Sequence, residues 1–532
     1  IFAVVVCVVY EFRGIPMMAP DILTVQTATS VMGNYTFKLT FEQYSVILVC
    51  MAFFFTFLRL HEVKVTEKRV FHIAGFIVVA LGCGLFTNQI ILSDFMEEHQ
   101  INIRMFRPME SYQKYGGVLT FARSVGYAVV KKPEGYTTAK VDQIIQEYEK
   151  KSANEQQSTV KQYPNIITVV NETFADIKVL GDFKTNEDYM PYFHSLKKNC
   201  VTGYTYASIV GGQTANTEFE LLTGNTLGFL SAGTTAFQLY IHGQMPSLVS
   251  NLKAEGYSGN KAMHPFNPYN YNRPAVYKDF GFTDFIDKFD FPKNVKRVRE
   301  YISDEANVDR IISEYEKNRK KTDQPFYMYN MTIQNHSPYD KDAANFKQPI
   351  KIESSKYDAE ANRYLNLIKY SDDSLKQLTS YFEKCKEPTI ILFLGDHQPR
   401  LTDEFMNKIT NGQYQTWSSE QMMKRYQVPF VIWANYDIKE QHIEKTSMNY
   451  IQSILTKTAG VKMTGYQRFL NEVRKEVPTI TSQGYWGKNG KFYQINDKGS
   501  PYYGIIQKYR MIQYNMMFDK KNRRDSFFEV SK

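Results

Sequence analysis

"TIILFLGDH", residues 389–397, is the stretch on which the fold turns. From Thr389 to Leu394 it is apolar or β-branched without a polar alternation, so a strand here would be buried on both faces, as in a parallel sheet covered by helices. Gly395 then breaks the run, and Asp396 and His397 follow at once. "NIITVVNET" at 165–173 has the same plan, with Asn171 and Glu172 after the apolar run, and "FYMYNMTIQNH" at 326–336 ends on Gln334, Asn335 and His336. "VPFVIWA" at 428–434 is a further such run. Helical patterns separate these segments, which predicts an α/β fold with a mostly parallel sheet flanked by helices. Ligands in such a sheet bind beyond the carboxyl ends of the strands. The residues after each run are therefore the candidate site: Glu172, His336, Asp396 and His397, joined by His264 in "NKAMHPF".

One carboxylate or imidazole after a strand is usually a turn or packing residue. Glu172, Asp396 and His397 together offer hard oxygens and one ring nitrogen, a donor set suited to Mn²⁺, Mg²⁺ or Zn²⁺. The glycine-bounded "GGQTANTEFELLTG", 211–224, opens a further helix, where free N–H groups favour an anion. Thr217 with Glu220 three residues on reads as a capping box. Thr214 is left over, either as a second turn-stabilising residue or as a nucleophile activated by a divalent ion. Arg273, in "YNYNRPAVYKDFGF" at 269–282, has the forked geometry that suits phosphate.

At 532 residues the chain exceeds one ordinary core. Its net charge of +9 comes from basic residues scattered among acids, so no nucleic-acid partner is expected. Five cysteines form no CxxC pair and no Cys/His zinc spacing. Three apolar runs, Ile1–Tyr10 (the end of a span whose start lies outside the sequence), Tyr44–Leu58 and Val70–Phe86, read as membrane spans. The basic loop "RLHEVKVTEKR" between the last two belongs on the cytoplasmic side, which sends everything after Thr87 outward. The expected organisation is 1–87 transmembrane, 88–162 a helical juxtamembrane linker, 163–480 the catalytic domain, and 481–532 a C-terminal hairpin, "YWGKNGKFYQI", with a helix. The sequons at Asn34, Asn171 and Asn330 are read as chance matches.

With Glu172 in "VVNET", Thr214 in "GGQTANTEFE" and Asp396-His397 in "FLGDHQ", the chain resembles the lipoteichoic acid synthase family, sulfatase-like phosphoglycerol transferases of the alkaline phosphatase superfamily. The resemblance covers nearly the whole chain. It implies one divalent metal, Mn²⁺ foremost and Mg²⁺ or Zn²⁺ otherwise, held by Glu172, Thr214, Asp396 and His397. It further implies that Thr214 is the nucleophile, that His264, Tyr271, Arg273 and His336 bind the phosphoglycerol group, and that His336 can also move a proton. The implied donor is phosphatidylglycerol in the membrane, and the implied acceptor a glycerophosphate polymer or a surface glycan. The implied location is a bacterial cell membrane, multi-pass, with the catalytic domain outside. Relatives often carry Trp where this chain has Tyr271, and a Tyr-Gly where Gln-Pro-Arg follows His397. The alternatives are a phosphoethanolamine transferase of the same superfamily, and a non-catalytic surface-binding protein that kept the fold. A sulfatase is excluded because no C/S-x-P-x-R segment is present.

Overall fold

The computed structural model describes residues 5–6, 16–19, 41–59, 69–92, 95–99, 101, 108–128, 130, 132–152, 162–231, 234–353, 358–412 and 414–530. The chain forms two compact units, Ile1–Lys131 with Ser231–Thr234, and Lys132–Leu230 with Thr235–Lys532.

In the first unit, helix Arg69–Phe86 runs on through a wider turn at Thr87–Leu92. Its stretch Ile73–Ile91 is long and apolar enough to cross a membrane. Helix Phe41–Arg59 holds only a shorter apolar stretch, Ile47–Thr56, because Glu42, Gln43 and Tyr44 occupy its first turn. Residues 1–10 lie outside the described residues apart from 5 and 6. Among the described residues, one helix of spanning length thus stands where three were expected. Its last carbonyls, which no helix can satisfy internally, receive Arg123, whose Nη1 donates to the Ile91 oxygen at 2.7 Å. Helices Pro108–Tyr115 and Gly117–Ala128 complete the unit around Met18 and Met96.

The second unit is built on one eight-stranded sheet. Its strands are β1 Asn165–Asn171, β2 Cys200–Tyr206, β3 Ser258–Met263, β4 Asp284–Ile286, β7 Phe326–Met331, β8 Thr389–Gly395, β9 Gln427–Ala434 and β10 Gln441–Ser447; β5 Arg297–Val298 and β6 Tyr301–Ile302 form a separate ribbon. The order is β10-β2-β9-β8-β1-β7-β3-β4, and β9 alone among these strands runs against its neighbours. Alternate residues of one strand enter opposite cores: Ile166, Val170, Leu392 and Leu394 face one side, Ile167, Val169, Ile391 and Phe393 the other. That double burial is why the runs lack polar alternation. Val308, Ile311, Tyr364 and Leu367 of helices Asp304–Arg319 and Ala359–Phe382 cover the second face. Phe219, Ile451 and Phe469, from helices Thr214–Thr223, Met448–Thr458 and Gly465–Glu476, cover the first.

Helix Thr138–Ser152, grouped with the linker on sequence, contributes Val141, Ile144 and Tyr148 to that first core. The C-terminal segment joins it as well. Its hairpin is a three-stranded sheet of β11 Thr479–Thr481, β12 Gly484–Trp486 and β13 Phe492–Tyr493, with Gly490 at φ 76° in the tight connection. Helix Tyr503–Met517 buries Ile506, Tyr509 and Ile512 in the same core. It also fastens the end of helix Thr214–Thr223: the Gly224 carbonyl accepts the hydroxyls of Tyr466 at 2.9 Å and Tyr509 at 2.6 Å, and Gln513 brackets Thr226 through its N–H and carbonyl.

Candidate functional site

The register fixes where the chemistry gathers. Asn171 pairs with Gly395 and Val170 with Met331, so β1, β7 and β8 end at one level and Glu172 and Asp396 leave adjacent strands side by side. Gly395 is required there, because a Cβ would lie 1.8 Å from the Phe174 carbonyl oxygen. Thr173 takes φ 55°, a conformation costly for a β-branched residue. In return its N–H donates to Asp396 Oδ1 at 2.6 Å, and the His397 N–H adds a second bond at 2.8 Å. One Asp396 oxygen is thereby satisfied. The other, Oδ2, is buried with no hydrogen-bond partner.

His397 is arranged the same way. Its Nδ1 lies 3.0 Å from the Gln398 carbonyl, which can only accept, so in the neutral ring Nδ1 carries the proton and Nε2 presents a lone pair. Nε2 is also buried without a partner, 3.2 Å from Asp396 Oδ2 and 3.8 Å from Glu172 Oε1. Burial and the neighbouring Asp396 carboxylate push Glu172 up to about 8, against the opposing pull of His397. One ligand atom from each of Glu172, Asp396 and His397 falls within 4.8 Å of the others. Glu172 Oε1 accepts the Thr173 hydroxyl at 2.8 Å, but Asp396 Oδ2 and His397 Nε2 converge beside it without partners, which is costly unless a cation joins them. The donor set fits Mn²⁺, Mg²⁺ or Zn²⁺.

Thr214 begins its helix, and its Oγ1 lies 3.5 Å from Glu172 Oε2. The four residues expected to share a cation therefore meet. The capping-box expectation is corrected. Gln213, in the left-handed conformation at φ 64°, is the residue before the helix, so the helix starts four residues earlier than a cap at Thr217 would place it. Thr217 lies inside it and donates its hydroxyl to the Asp396 carbonyl at 2.8 Å, while the buried Glu220 accepts from Ser208 Oγ and the Leu227 N–H.

Arg273 is almost wholly buried at the start of helix Arg273–Phe280. Its Nε and Nη2 both donate to Glu218 Oε1, at 3.0 and 2.6 Å, and Glu218 Oε2 accepts the hydroxyls of Tyr277 and Tyr329. Nη1 takes no part in that pair, and the guanidinium stacks over Tyr271, 5.1 Å from the ring centre. Tyr271 and Asn272 both take positive φ, 60° and 58°, which turns the chain sharply into the helix. The charge of Arg273 reaches both Glu172 and His264. His264 is held through Nδ1 by the Met331 carbonyl at 3.0 Å, and burial followed by the Arg273 charge holds it well below the usual imidazole range. His336 is only partly covered; its Nδ1 contacts the Ser337 carbonyl at 2.7 Å, and burial lowers it too.

Three supporting residues were absent from the sequence reading. Glu218 was hidden because an acid in a helix ordinarily faces water, and Thr173 because nothing in an "NET" turn announces a positive φ. Gln398 links the parts: its carbonyl accepts both His397 Nδ1 and the Gly211 N–H, and its side chain donates to the Lys424 and Gln427 carbonyls.

Residues 164–461 match the sulfatase family. A putative cyclic beta-1,2-glucan modification protein of Rhizobium meliloti (strain 1021) is 30% identical over 433 residues, 80% of this chain and 65% of that protein. The lipoteichoic acid synthase-like protein YvgJ of Bacillus subtilis (strain 168) is 27% identical over 44% of this chain and 36% of its own length. The chain thus spans less than two thirds of the length of either relative. Among solved structures, the Streptococcus pyogenes phosphoglycerol transferase GacH in complex with sn-glycerol-1-phosphate superposes with a TM-score of 0.61 at 20% identity, over 76% of this chain and 100% of that one. The lipoteichoic acid synthase LtaP of Listeria monocytogenes gives 0.51 at 19% identity, over 73% and 98%. These superpositions establish the shared fold.

Proposed function

We propose that this chain, which belongs to the sulfatase family and to its lipoteichoic acid synthase-like members, is a membrane-bound, metal-dependent phosphoglycerol transferase. The observation that carries the reading is the cluster of Glu172, Thr214, Asp396 and His397, with Asp396 Oδ2 and His397 Nε2 buried and unpaired. Glu172, Asp396, His397 and the Thr214 oxygen would hold one divalent ion. When bound, such an ion lowers the pKa of a hydroxyl and screens phosphate oxygens.

In the proposed reaction Thr214 Oγ1 attacks the phosphorus of phosphatidylglycerol. Its hydrogen is already directed at Glu172. The bond from phosphorus to the diacylglycerol oxygen breaks, that oxygen leaves with the proton given up by Thr214, and glycerol phosphate stays esterified to Thr214. A hydroxyl of the acceptor then attacks the same phosphorus and Thr214 is released. Arg273, pre-set by Glu218, offers charge to the phosphate oxygens without reorganising. His336, kept neutral by burial, suits accepting the proton of the entering hydroxyl. His264 and Tyr271 would line the glycerol side. A relative that matches 80% of this chain is named for glucan modification, which favours a glycan acceptor over a glycerophosphate polymer. Among the described residues one helix, Ile73–Ile91, is long and apolar enough to cross a membrane, which supports a membrane anchor, and the basic loop before it would leave the second unit outside.

The test is release of diacylglycerol from labelled phosphatidylglycerol by the full chain with Mn²⁺, together with mass spectrometry of the Thr214 peptide. A glycerophosphate adduct supports the reading. An adduct formed from phosphatidylethanolamine instead would reassign the donor, and metal-free protein with no release would favour a binding role.

A further inference from the structure

Among the described residues of the second unit, two large hydrophobic side chains are exposed: Tyr269 at 59% and Phe289 at 73%. Single exposed apolar residues are ordinary, but these two share one rim. β3 and β4 run parallel, with Met263 opposite Ile286, so the loops that follow them leave from the same end of the sheet as the cation cluster. Tyr269 lies on the first loop, Phe289 on the second, and the Lys288 N–H ties the loops by donating to the Phe266 carbonyl at 3.4 Å. Phe266 in turn stacks on His336, ring centres 6.3 Å apart at 22°. The rim thus continues directly into the candidate site. The segment "DKFDFPKNVK", 287–296, carries three lysines and two aspartates, and the aspartates accept backbone N–H groups of the turn itself. Lys288 extends over the Phe289 and Phe266 rings, Lys293 is exposed, and Lys296 pairs with Glu305.

An aromatic pair with basic neighbours is the pattern of a surface that rests in the headgroup layer of an anionic bilayer. We propose that Tyr269 and Phe289 dip into that layer while Lys288 and Lys293 meet lipid phosphates, so that a donor headgroup reaches Arg273 and Thr214 without its acyl chains leaving the membrane. This rests on the reading above that the donor is a lipid.

The experiment uses the full chain reconstituted in vesicles of phosphatidylglycerol and phosphatidylcholine, and the same protein with dibutanoyl-phosphatidylglycerol dissolved as monomers. The double variant Tyr269→Ser/Phe289→Ser should lose turnover of the vesicle donor by about tenfold or more and keep turnover of the soluble donor. Phe289→Trp should retain vesicle turnover, and its added fluorescence should be quenched by lipids brominated on the acyl chain. Unchanged vesicle turnover, an equal loss on both donors, or an unquenched tryptophan would overturn the proposal. So would a defect confined to the acceptor KM, which would make the aromatics a sugar-stacking surface. If the parent chain turns over neither donor, the functional reading fails, and the quenching alone decides whether the rim meets the bilayer.

Discussion

The cation cluster and the Arg273 pocket lie in the same buried site and settle their charge in opposite ways. Around Arg273 the charge is answered: Glu218 takes two guanidinium N–H groups, and Tyr277 and Tyr329 donate to Glu218. At Glu172, Asp396 and His397 two carboxylates crowd one imidazole, and two polar atoms have no partner. A buried pair that is complete positions a group; a buried set that is incomplete marks where something must bind. The two halves suit a phosphate held between a fixed positive arm and a bound ion.

The largest expected effect comes from removing the hydroxyl that joins the halves. Thr214→Ala should lower diacylglycerol release by about 10³-fold or more while the Mn²⁺-dependent rise in melting temperature stays. Residual turnover above about a tenth of the parent's would dismiss Thr214 as nucleophile. Next, Glu218→Gln breaks the complete half and leaves Arg273 without its counter-charge, which should cost about 3–5 kcal/mol in urea unfolding. Little change there would show that the pocket is not the pre-set arm described above.

The incomplete half should respond to its missing partner. Mn²⁺ at about a hundred times its Kd should stabilise the protein by about 2.7 kcal/mol, and Asp396→Asn should abolish that gain. Without metal the same variant should be no less stable than the parent, because it relieves crowding between carboxylates. A large loss in the metal-free state would mean that Asp396 is there for structure.

The smallest effect lies outside both halves. His194 is raised to about 9, chiefly by the Asp176 carboxylate 3.8 Å from its Nε2, with the Asp188 carboxylate at 2.8 Å from its Nδ1. Its folded value lies above the unfolded one, so its contribution is whole below about pH 6.5 and fades as pH rises through about 9. His194→Gln should flatten that part of the melting-temperature profile and leave the Mn²⁺ shift untouched.

Continuous apolar runs made β1, β7, β8 and β9 legible, because a strand buried on both faces has no polar face to write into the sequence. The polar residues just beyond those runs then marked Glu172, His336, Asp396 and His397. Local signals failed where the backbone takes an unusual turn without glycine. Gln213 at φ 64° moved the helix start and made Thr217 a brace for Asp396 instead of a cap. Glu218 was unreadable for another reason, since its burial depends on an arginine fifty-five positions later. Of the three expected spans, one, Ile73–Ile91, has the length to cross a membrane among the described residues, and the apolar part of the second, Ile47–Thr56, is shorter because polar residues fill the first turn of its helix.

The bond from Tyr509 to the Gly224 carbonyl has a consequence for biosynthesis. By the time the ribosome has made His397 the four clustered residues exist, yet at the far end of the rod bearing Thr214 the Gly224 carbonyl lacks one of its two tyrosine hydroxyls, and Thr226 its glutamine, until Tyr503–Met517 arrives. Loss of the final thirty residues would therefore loosen the seat of Thr214 without altering any of the four clustered residues.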